Sequence, residues 1–151
     1  MGQQKIIGVI GAGLADGKTL QTAETVGRII AKRGALLVCG GLGGVMEAAA
    51  RGAKTEGGTT IGILPHHEKE AANPFIDIPV ATGFGEGRNV VIVRTADSLI
   101  AIGGEYGTLS EIAFALKMGK TVIGLGTWDI KGVVKAASEE DAVEKAMRSL
   151  G

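Results

Sequence analysis

Two segments of this chain join an apolar run to glycines in a pattern suited to holding an anion. In the first, Leu36-Leu37-Val38-Cys39 runs into Gly40-Gly41-Leu42-Gly43-Gly44-Val45-Met46-Glu47. In the second, Leu99-Ile100-Ala101-Ile102 runs into Gly103-Gly104-Glu105-Tyr106-Gly107-Thr108-Leu109-Ser110-Glu111. Each reads as a strand that stops at a glycine pair, a short loop, and the start of a helix. Glycine lets the backbone turn sharply and lets a ligand approach with no Cβ in the way. The free N–H groups and the dipole of the following helix favour negative charge. Two such junctions in one small chain point to a phosphate-bearing small molecule, a nucleotide or something derived from one.

Other residues near these junctions have chemistry to offer. Arg88-Asn89 follows Gly83-Phe84-Gly85-Glu86-Gly87, a glycine-rich approach to an arginine at a helix start. That suits a contact with phosphate or a sugar hydroxyl, and a plain surface arginine has the same signature. Glu47 and Glu111 fall in the first turns of their helices, where a carboxylate complements the dipole. Glu111, beside Gly107 and Thr108, is also placed to aim at a ligand. The loop Gly11-Ala12-Gly13-Leu14-Ala15-Asp16-Gly17-Lys18-Thr19 approaches two phosphate-binding patterns and completes neither. As a G-x-G-x-x-G fingerprint its third glycine comes one residue late, at Gly17, and strand two ends in Cys39-Gly40 with no acidic residue. As a G-x-x-x-x-G-K-[ST] loop it ends correctly, but the first glycine falls on Ala12. It reads as a glycine-rich turn into a helix, with Gly11 and Gly13 available to line a site. His66-His67 sits in a polar loop where nothing completes a metal set at ligand spacing, so no metal site is expected.

The elements that must position these residues follow from the hydrophobic pattern. Short apolar runs are expected as strands at Lys5–Ile10, Ala35–Cys39, Thr59–Leu64, Ser98–Ile102 and Thr121–Leu125, with an edge strand at Ile76–Ala81 because of Pro79. Helical spacing is expected over Thr19–Arg33, Val45–Thr55, Arg88–Thr95, Thr108–Met118 and Ser138–Leu150, the last with Ser138 as its cap. Pro65 to Pro74 reads as a surface loop. Strands and helices alternate, and most strands are apolar throughout, which marks a parallel sheet buried between two helix layers. The expected fold is thus α/β, a Rossmann-like doubly wound, mostly parallel sheet in a single domain, 1–151. In such folds ligands bind at the carboxyl ends of the strands, where the glycine loops fall.

Composition narrows the partners. Glycine is 26 of 151 residues, more than double the usual share of about 7%. With only 3 Pro and no G-X-Y period the chain is neither collagen-like nor low-complexity. Lys+Arg and Asp+Glu are 16 each, and aromatics make up 3%. With no basic stripe and few rings for stacking, neither nucleic acid nor a charged membrane surface is an expected partner. No apolar stretch is long enough to span a bilayer, the N-terminus has no signal-peptide pattern, and the expected location is cytoplasmic. Cys39 rules out an internal disulfide and reads as a small core residue.

The segment Gly103 to Glu111 resembles the P-G-G-x-G-T-x-x-E motif of the Lonely Guy family, the cytokinin-activating phosphoribohydrolases once misnamed lysine decarboxylases. Gly40 to Met46 is similar to that family's second glycine signature, and Arg88 lies nine residues before Asp97, the spacing of its catalytic arginine. A closer resemblance is to the molybdenum-cofactor carrier-like branch of the same superfamily. It rests on Gly-Val-Met-Glu-Ala (Gly44 to Ala48), Gly-Ile-Leu-Pro (Gly62 to Pro65), Gly-x-x-Arg-Asn (Gly85 to Asn89) and Gly-Thr-Leu-Ser-Glu (Gly107 to Glu111). The resemblance runs from the first strand to about Gly126. It implies a Rossmann-like fold, a homo-oligomer (dimer or tetramer) and a nucleotide-like ligand. Three positions depart from the Lonely Guy pattern: Gly103 replaces the motif proline, Glu105 replaces its second glycine, and Asn89 replaces the lysine after the arginine. The changes at Glu105 and Asn89 bear on hydrolysis more than on binding.

The expected function is a carrier for a phosphorylated, nucleotide-like ligand, with molybdenum cofactor the named candidate and no cofactor required for the protein itself. The alternative is a nucleoside 5'-monophosphate phosphoribohydrolase, with Arg88 and Glu111 catalytic. In either case the phosphate is expected at Gly104, Gly107 and Thr108. Gly11, Gly13, Gly40, Gly41, Gly43, Gly44, Met46, Arg88, Asn89, Gly103 and Glu111 are expected around the rest of the ligand.

Overall fold

The computed structural model describes residues 3–151. Its strands are β1 (Ile6–Gly11), β2 (Leu36–Cys39), β3 (Thr60–Leu64), β4 (Ile78–Ala81), β5 (Ser98–Ile102), β6 (Val122–Leu125) and β7 (Val133–Lys135). Its helices are α1 (Gly17–Lys32), α2 (Val45–Thr55), α3 (Arg88–Thr95), α4 (Tyr106–Lys117) and α5 (Glu139–Arg148). They form one domain around a single sheet of order β4-β3-β2-β1-β5-β6-β7. Every strand pair is parallel, in keeping with the expected doubly wound parallel sheet. Pro79 lies in β4 at the sheet edge, where a missing N–H leaves no ladder bond broken.

The helices cover both faces. Ala23, Val26 and Ile30 of α1, Ala48, Ala49 and Ala53 of α2, and Ala142, Val143 and Ala146 of α5 share one core with Ile7, Val9 and Leu37. Ile92 and Val93 of α3 and Ile112 and Ala115 of α4 share the other with Ile10, Val38 and Leu99. Helices α1 and α2 touch backbone to backbone: a Cβ on Gly27 would lie 1.9 Å from the Ala49 carbonyl oxygen. Among the described residues no helix is long and apolar enough to cross a membrane.

Three elements differ from the sequence pattern. Strand β7 was not expected; it is three residues long, lies at the edge, and keeps only Val133 half-buried. Helix α4 starts at Tyr106, two residues before Thr108, because glycine at position 107 hides its first turn from a periodicity argument. Short 3-10 turns occupy Lys69–Ala71 in the polar loop and Gly85–Gly87 ahead of α3.

The chain runs β1, β2, β3, β4 to one edge, then returns through α3 to β5 on the other side of β1. The strand order therefore reverses beside β1, and the loops after β1, β2 and β5 converge at this switch point.

Candidate functional site

A cleft of about 690 Å³ opens at these carboxyl ends. Its floor is the end of β1, Val9 to Gly11, and the loop beyond it contributes Ala12, Gly13 and Leu14. The β2–α2 junction contributes Gly40, Leu42, Gly43 and Met46. The β5–α4 junction contributes Glu105, Gly107, Thr108 and Glu111, and α3 contributes Arg88 and Asn89. The volume lies in the range of about 300–1,000 Å³ usual for small-molecule and cofactor sites.

Helices α2 and α4, which start at this cleft, differ from α1 and α5, which start with a capping side chain. Asp16 accepts from the Thr19 N–H to cap α1, and Ser138 accepts from the Asp141 N–H to cap α5. At α2 and α4 the cap residues are Gly44 and Glu105, and neither side chain makes a capping bond. The first-turn N–H groups of a helix need acceptors. At α2 the Val45 N–H finds one in the Ala12 carbonyl, 3.0 Å away. At α4 the first turn faces the cleft with no side-chain cap.

The glycines sort into two kinds. Gly44 adopts φ 64, and a Cβ there would lie 2.3 Å from the Ala12 carbonyl oxygen, so no other residue fits the loop. Gly41, Gly103 and Gly104 share this left-handed backbone, with φ 77, 56 and 112. None of the four belongs to the cleft lining; Gly103 and Gly104 face Thr127 and Trp128 on the far side of the loop. Gly13, Gly43 and Gly107 are different. Their φ angles are not left-handed, and a Cβ on any of them would meet either nothing or only the Gly13 carbonyl oxygen at 3.5 Å. A Cβ at these positions would not collide with the rest of the protein, and its absence leaves that part of the cleft open. Gly11 and Gly40 line it too; a Cβ on Gly40 would strike Met46 Sδ and Arg88 Nη2 at 2.6 and 2.8 Å.

Arg88 is half-buried and fixed. Its Nε donates to the Ile63 carbonyl at 2.9 Å, Nη2 to the Gly40 carbonyl at 3.5 Å, and Nη1 to Asn89 Oδ1. Asn89, buried, in turn donates to Ser110 Oγ at 3.4 Å, and Ser110 donates to the Gly107 carbonyl at 2.7 Å. Arg88 is therefore not a free surface arginine: a relay of hydrogen bonds ties it to the start of α4. Burial lowers its pKa from the usual guanidinium value, while Glu111, Cys39 and Glu86 act in the opposite sense. A guanidinium stays charged under any such shift.

Glu111 is 7% exposed and Thr108 is 3% exposed. They lie one turn apart on α4 and both open into the cleft. Burial pushes the Glu111 carboxyl up to about 8, and the charge of Arg88 offsets only part of that. Glu105 is exposed at the rim; its carbonyl accepts from Trp128 Nε1 at 3.2 Å. Cys39 is fully buried, and burial pushes its thiol up to about 11, so it remains a neutral thiol beneath the junction.

Of the residues expected at the ligand, then, the structure brings together Gly11, Gly13, Gly40, Gly43, Met46, Arg88, Asn89, Gly107, Thr108 and Glu111. Gly41, Gly44, Gly103 and Gly104 are not among the residues that line the cleft; Gly44 lies beside Leu20 and Glu47, and Gly103 and Gly104 beside Thr127 and Trp128. Leu14 and the strand end Val9–Ile10 join the cleft without having been singled out; Leu42 lies inside a glycine loop expected to line it.

A wholly parallel doubly wound sheet with a ligand cleft at its switch point defines a large class of nucleotide- and cofactor-binding folds. The chain belongs to the SLOG cluster4 family, which matches residues 4–149. It is 56% identical over 119 residues to an uncharacterized protein of Archaeoglobus fulgidus, across 79% of this chain and 78% of that one. It is 34% identical over 119 residues to a cytokinin riboside 5'-monophosphate phosphoribohydrolase of Mycobacterium marinum, across 72% of this chain and 63% of the enzyme. The match thus spans less than two thirds of that enzyme's length. Among solved structures, the molybdenum cofactor binding protein of Rippkaea orientalis superposes with a TM-score of 0.94 at 38% identity over 99% of both chains. The molybdenum cofactor carrier protein of Chlamydomonas reinhardtii superposes with a TM-score of 0.88 at 36% identity, over 98% of this chain and 99% of that one.

Proposed function

We propose that the chain binds and carries a phosphorylated, nucleotide-like small molecule in this cleft, and that molybdenum cofactor is the named candidate. The observation that carries this reading is the cleft at the strand ends, into which buried Thr108 and Glu111 open beside Arg88 and between the glycine loops. A ligand phosphate seated at Gly107 and Thr108 accepts from the uncapped first turn of α4, in the field of its dipole. Arg88 supplies the positive charge. Gly11, Gly13, Gly40, Gly43, Leu42 and Met46 line the remainder, an apolar surface suited to a ring system. Gly41, Gly44, Gly103 and Gly104 shape the loops and do not line the cleft. The likeness to two molybdenum cofactor proteins supports the choice of cargo, and carrying a cargo asks for no bond to be broken.

Mass spectrometry of small molecules released from freshly purified protein tests the reading. A pterin phosphate or a nucleotide is the expected finding. If none is released, and neither AMP nor molybdenum cofactor raises the melting temperature, the reading fails.

A second reading has its own support: Arg88 and Glu111 share the cleft, and the Mycobacterium marinum relative is a phosphoribohydrolase. In that case Glu111 stabilises the oxocarbenium-like ribosyl centre or orients the attacking water, and Arg88 holds the substrate. Incubation with AMP separates the two. Slow or absent release of free adenine is expected for a carrier; rapid release that is lost in Glu111→Ala and in Arg88→Ala makes the protein an enzyme.

We further propose a homo-oligomer. Helix α4 leaves Tyr106, Ala113 and Phe114 exposed along its outer side, an apolar strip that a second copy would cover. Light scattering at micromolar concentration should give a small multiple of 15.3 kDa; the monomer mass would rule the oligomer out.

A further inference from the structure

Glu111 is the ionisable side chain of the cleft that is both buried and without a partner among the described residues. Arg88 is held by three acceptors, Cys39 donates to the Met46 carbonyl at 3.8 Å, and Glu105 stands in solvent. No N–H or O–H of the protein donates to the Glu111 carboxylate; burial and the charge of Arg88 are all that act on it. Among the described residues no fully enclosed side-chain oxygen or nitrogen lacks a hydrogen bond, so the unbonded Glu111 oxygens are reached from the cleft, where water or a ligand atom can meet them. The charged and titratable groups around it are Arg88 from α3, Cys39 from the end of β2 and Glu105 from the cap of α4. The residues that β1 and α2 bring to the cleft, Val9, Ile10 and Met46, carry no charge.

An ionised carboxylate can only accept hydrogen bonds, whereas a protonated one has an O–H to give. Beside an anionic ligand the two forms have opposite effects, because a carboxylate repels the phosphate and an acid donates to it. We propose that Glu111 holds the anionic ligand as a protonated acid, donating its O–H to a ligand oxygen next to Thr108, so that ligand and proton are bound together. This rests on the binding reading above and specifies how the buried acid takes part in it.

The sign of the pH dependence follows. In the free protein the acid is predominantly protonated up to a pH of about 8. The nearby ligand anion raises that value further in the complex. Affinity is therefore full below about pH 8 and declines as the pH rises above it, by up to about tenfold per pH unit, until the complex also loses the proton. The phosphate ester is already a dianion above pH ~6, so its own charge does not vary over this interval.

Calorimetric titration of the full chain with AMP between pH 7.0 and 9.5 tests the proposal. The wild type should bind with constant affinity to about pH 8 and more weakly above it. At pH 8.5, buffers of different ionisation enthalpy should reveal net proton uptake on binding. Glu111→Gln, whose amide donates and never ionises, should bind AMP with an affinity that does not change with pH, and Glu111→Ala should bind weakly throughout. Circular dichroism confirms that each variant is folded before titration. A flat wild-type profile, or a Glu111→Gln variant as weak as Glu111→Ala, overturns the protonated-acid role while leaving ligand binding intact. No AMP binding by the wild type at any pH removes the nucleotide reading itself, and the role of Glu111 with it.

Discussion

The β2–α2 and β5–α4 junctions both carry a strand into a helix across a glycine pair, and they meet the cleft with different material. The first brings backbone and apolar side chains: Gly40, Leu42, Gly43 and Met46. Other loops brace it, for Asn73 donates from Nδ2 to the Leu42 carbonyl at 2.8 Å and from its backbone N–H to the Gly41 carbonyl at 2.9 Å. The second junction brings polar side chains, Thr108 and Glu111 with Glu105 at the rim, and turns its glycine pair away toward Thr127 and Trp128. Arg88 bridges the two, bonded to the Gly40 carbonyl on one side and linked through Asn89 and Ser110 to the first turn of α4 on the other. One local backbone pattern thus serves as a neutral wall in one place and as a mount for hydrogen-bonding and titratable groups in another. In this division the wall sets shape and the mount sets chemistry.

The largest expected effect tests whether the wall's adjacent glycines have separate duties. Gly44→Ala forces a Cβ to within 2.3 Å of the Ala12 carbonyl oxygen at a φ of 64. Clash and strain together should cost about 3 kcal/mol or more of folding stability. Gly43→Ala, one residue earlier, meets only the Gly13 carbonyl oxygen at 3.5 Å and should change stability by no more than about 0.5 kcal/mol. A bulkier Gly43→Val should fold and lose at least about tenfold in AMP affinity, because its side chain occupies ligand space. Urea unfolding and calorimetry measure the two quantities. Equal destabilisation by Gly43→Ala and Gly44→Ala would erase the distinction between turn-forming and space-leaving glycines.

The next effect belongs to the mount alone. Glu111 has its folded-state pKa raised from 4.5 to about 8. Between these values the unfolded chain has released the proton and the folded chain retains it. The carboxyl therefore contributes stability that is full below about pH 4.5 and falls as the pH rises to about 8, at up to about 1.4 kcal/mol per pH unit. Relative to wild type, Glu111→Gln should gain stability as the pH is raised from 5 to 8 and show no further relative gain above that. Melting curves of both proteins across pH 5 to 9 check this. Parallel curves would mean that the acid is not held protonated by burial, and the contrast between a neutral wall and a titrating mount would narrow.

How much of this was legible in the residues divides along the same physical line. The alternation of apolar strands with amphipathic helices, and the stops at Gly34, Gly57 and Gly119, are local properties, and they placed six of the seven strands and all five helices. The exception, Val133–Lys135, is held by its pairing with β6 and has too few residues to show a period. The glycine loops were visible, but which glycine turns the chain and which leaves space depends on the sign of φ and on what lies across the gap. Ala12 and Gly13, which press on Gly44, are 31 or more positions away in sequence. Arg88 showed its position at a helix start without showing its bonds to Ile63, in β3, and Gly40, in the loop that follows β2. The shifted acidity of Glu111 is likewise a property of burial, and burial is a product of the whole fold.

The smallest effect compares matched substitutions on the two sides of the cleft. Thr108 is buried, its hydroxyl bonds to no other described residue, and it opens into the cleft. Thr108→Val keeps the branched shape that packs against Gly104, where an added Cβ would lie 2.5 Å from the threonine Cβ. It removes only the hydroxyl. With no internal bond to lose, the free protein should be as stable as wild type or slightly more so. A ligand that accepts from or donates to that hydroxyl should bind more weakly by about 1 kcal/mol, roughly fivefold. On the opposite wall, Met46→Leu preserves apolar volume and presents no polar group to lose, so AMP affinity should stay within about twofold. Calorimetry of the two variants beside wild type reads the difference directly. A fivefold loss at Thr108 with none at Met46 assigns hydrogen bonding to the β5–α4 side. Equal losses would mean that both junctions act through shape alone, and the ligand oxygen would have to be sought nearer Arg88.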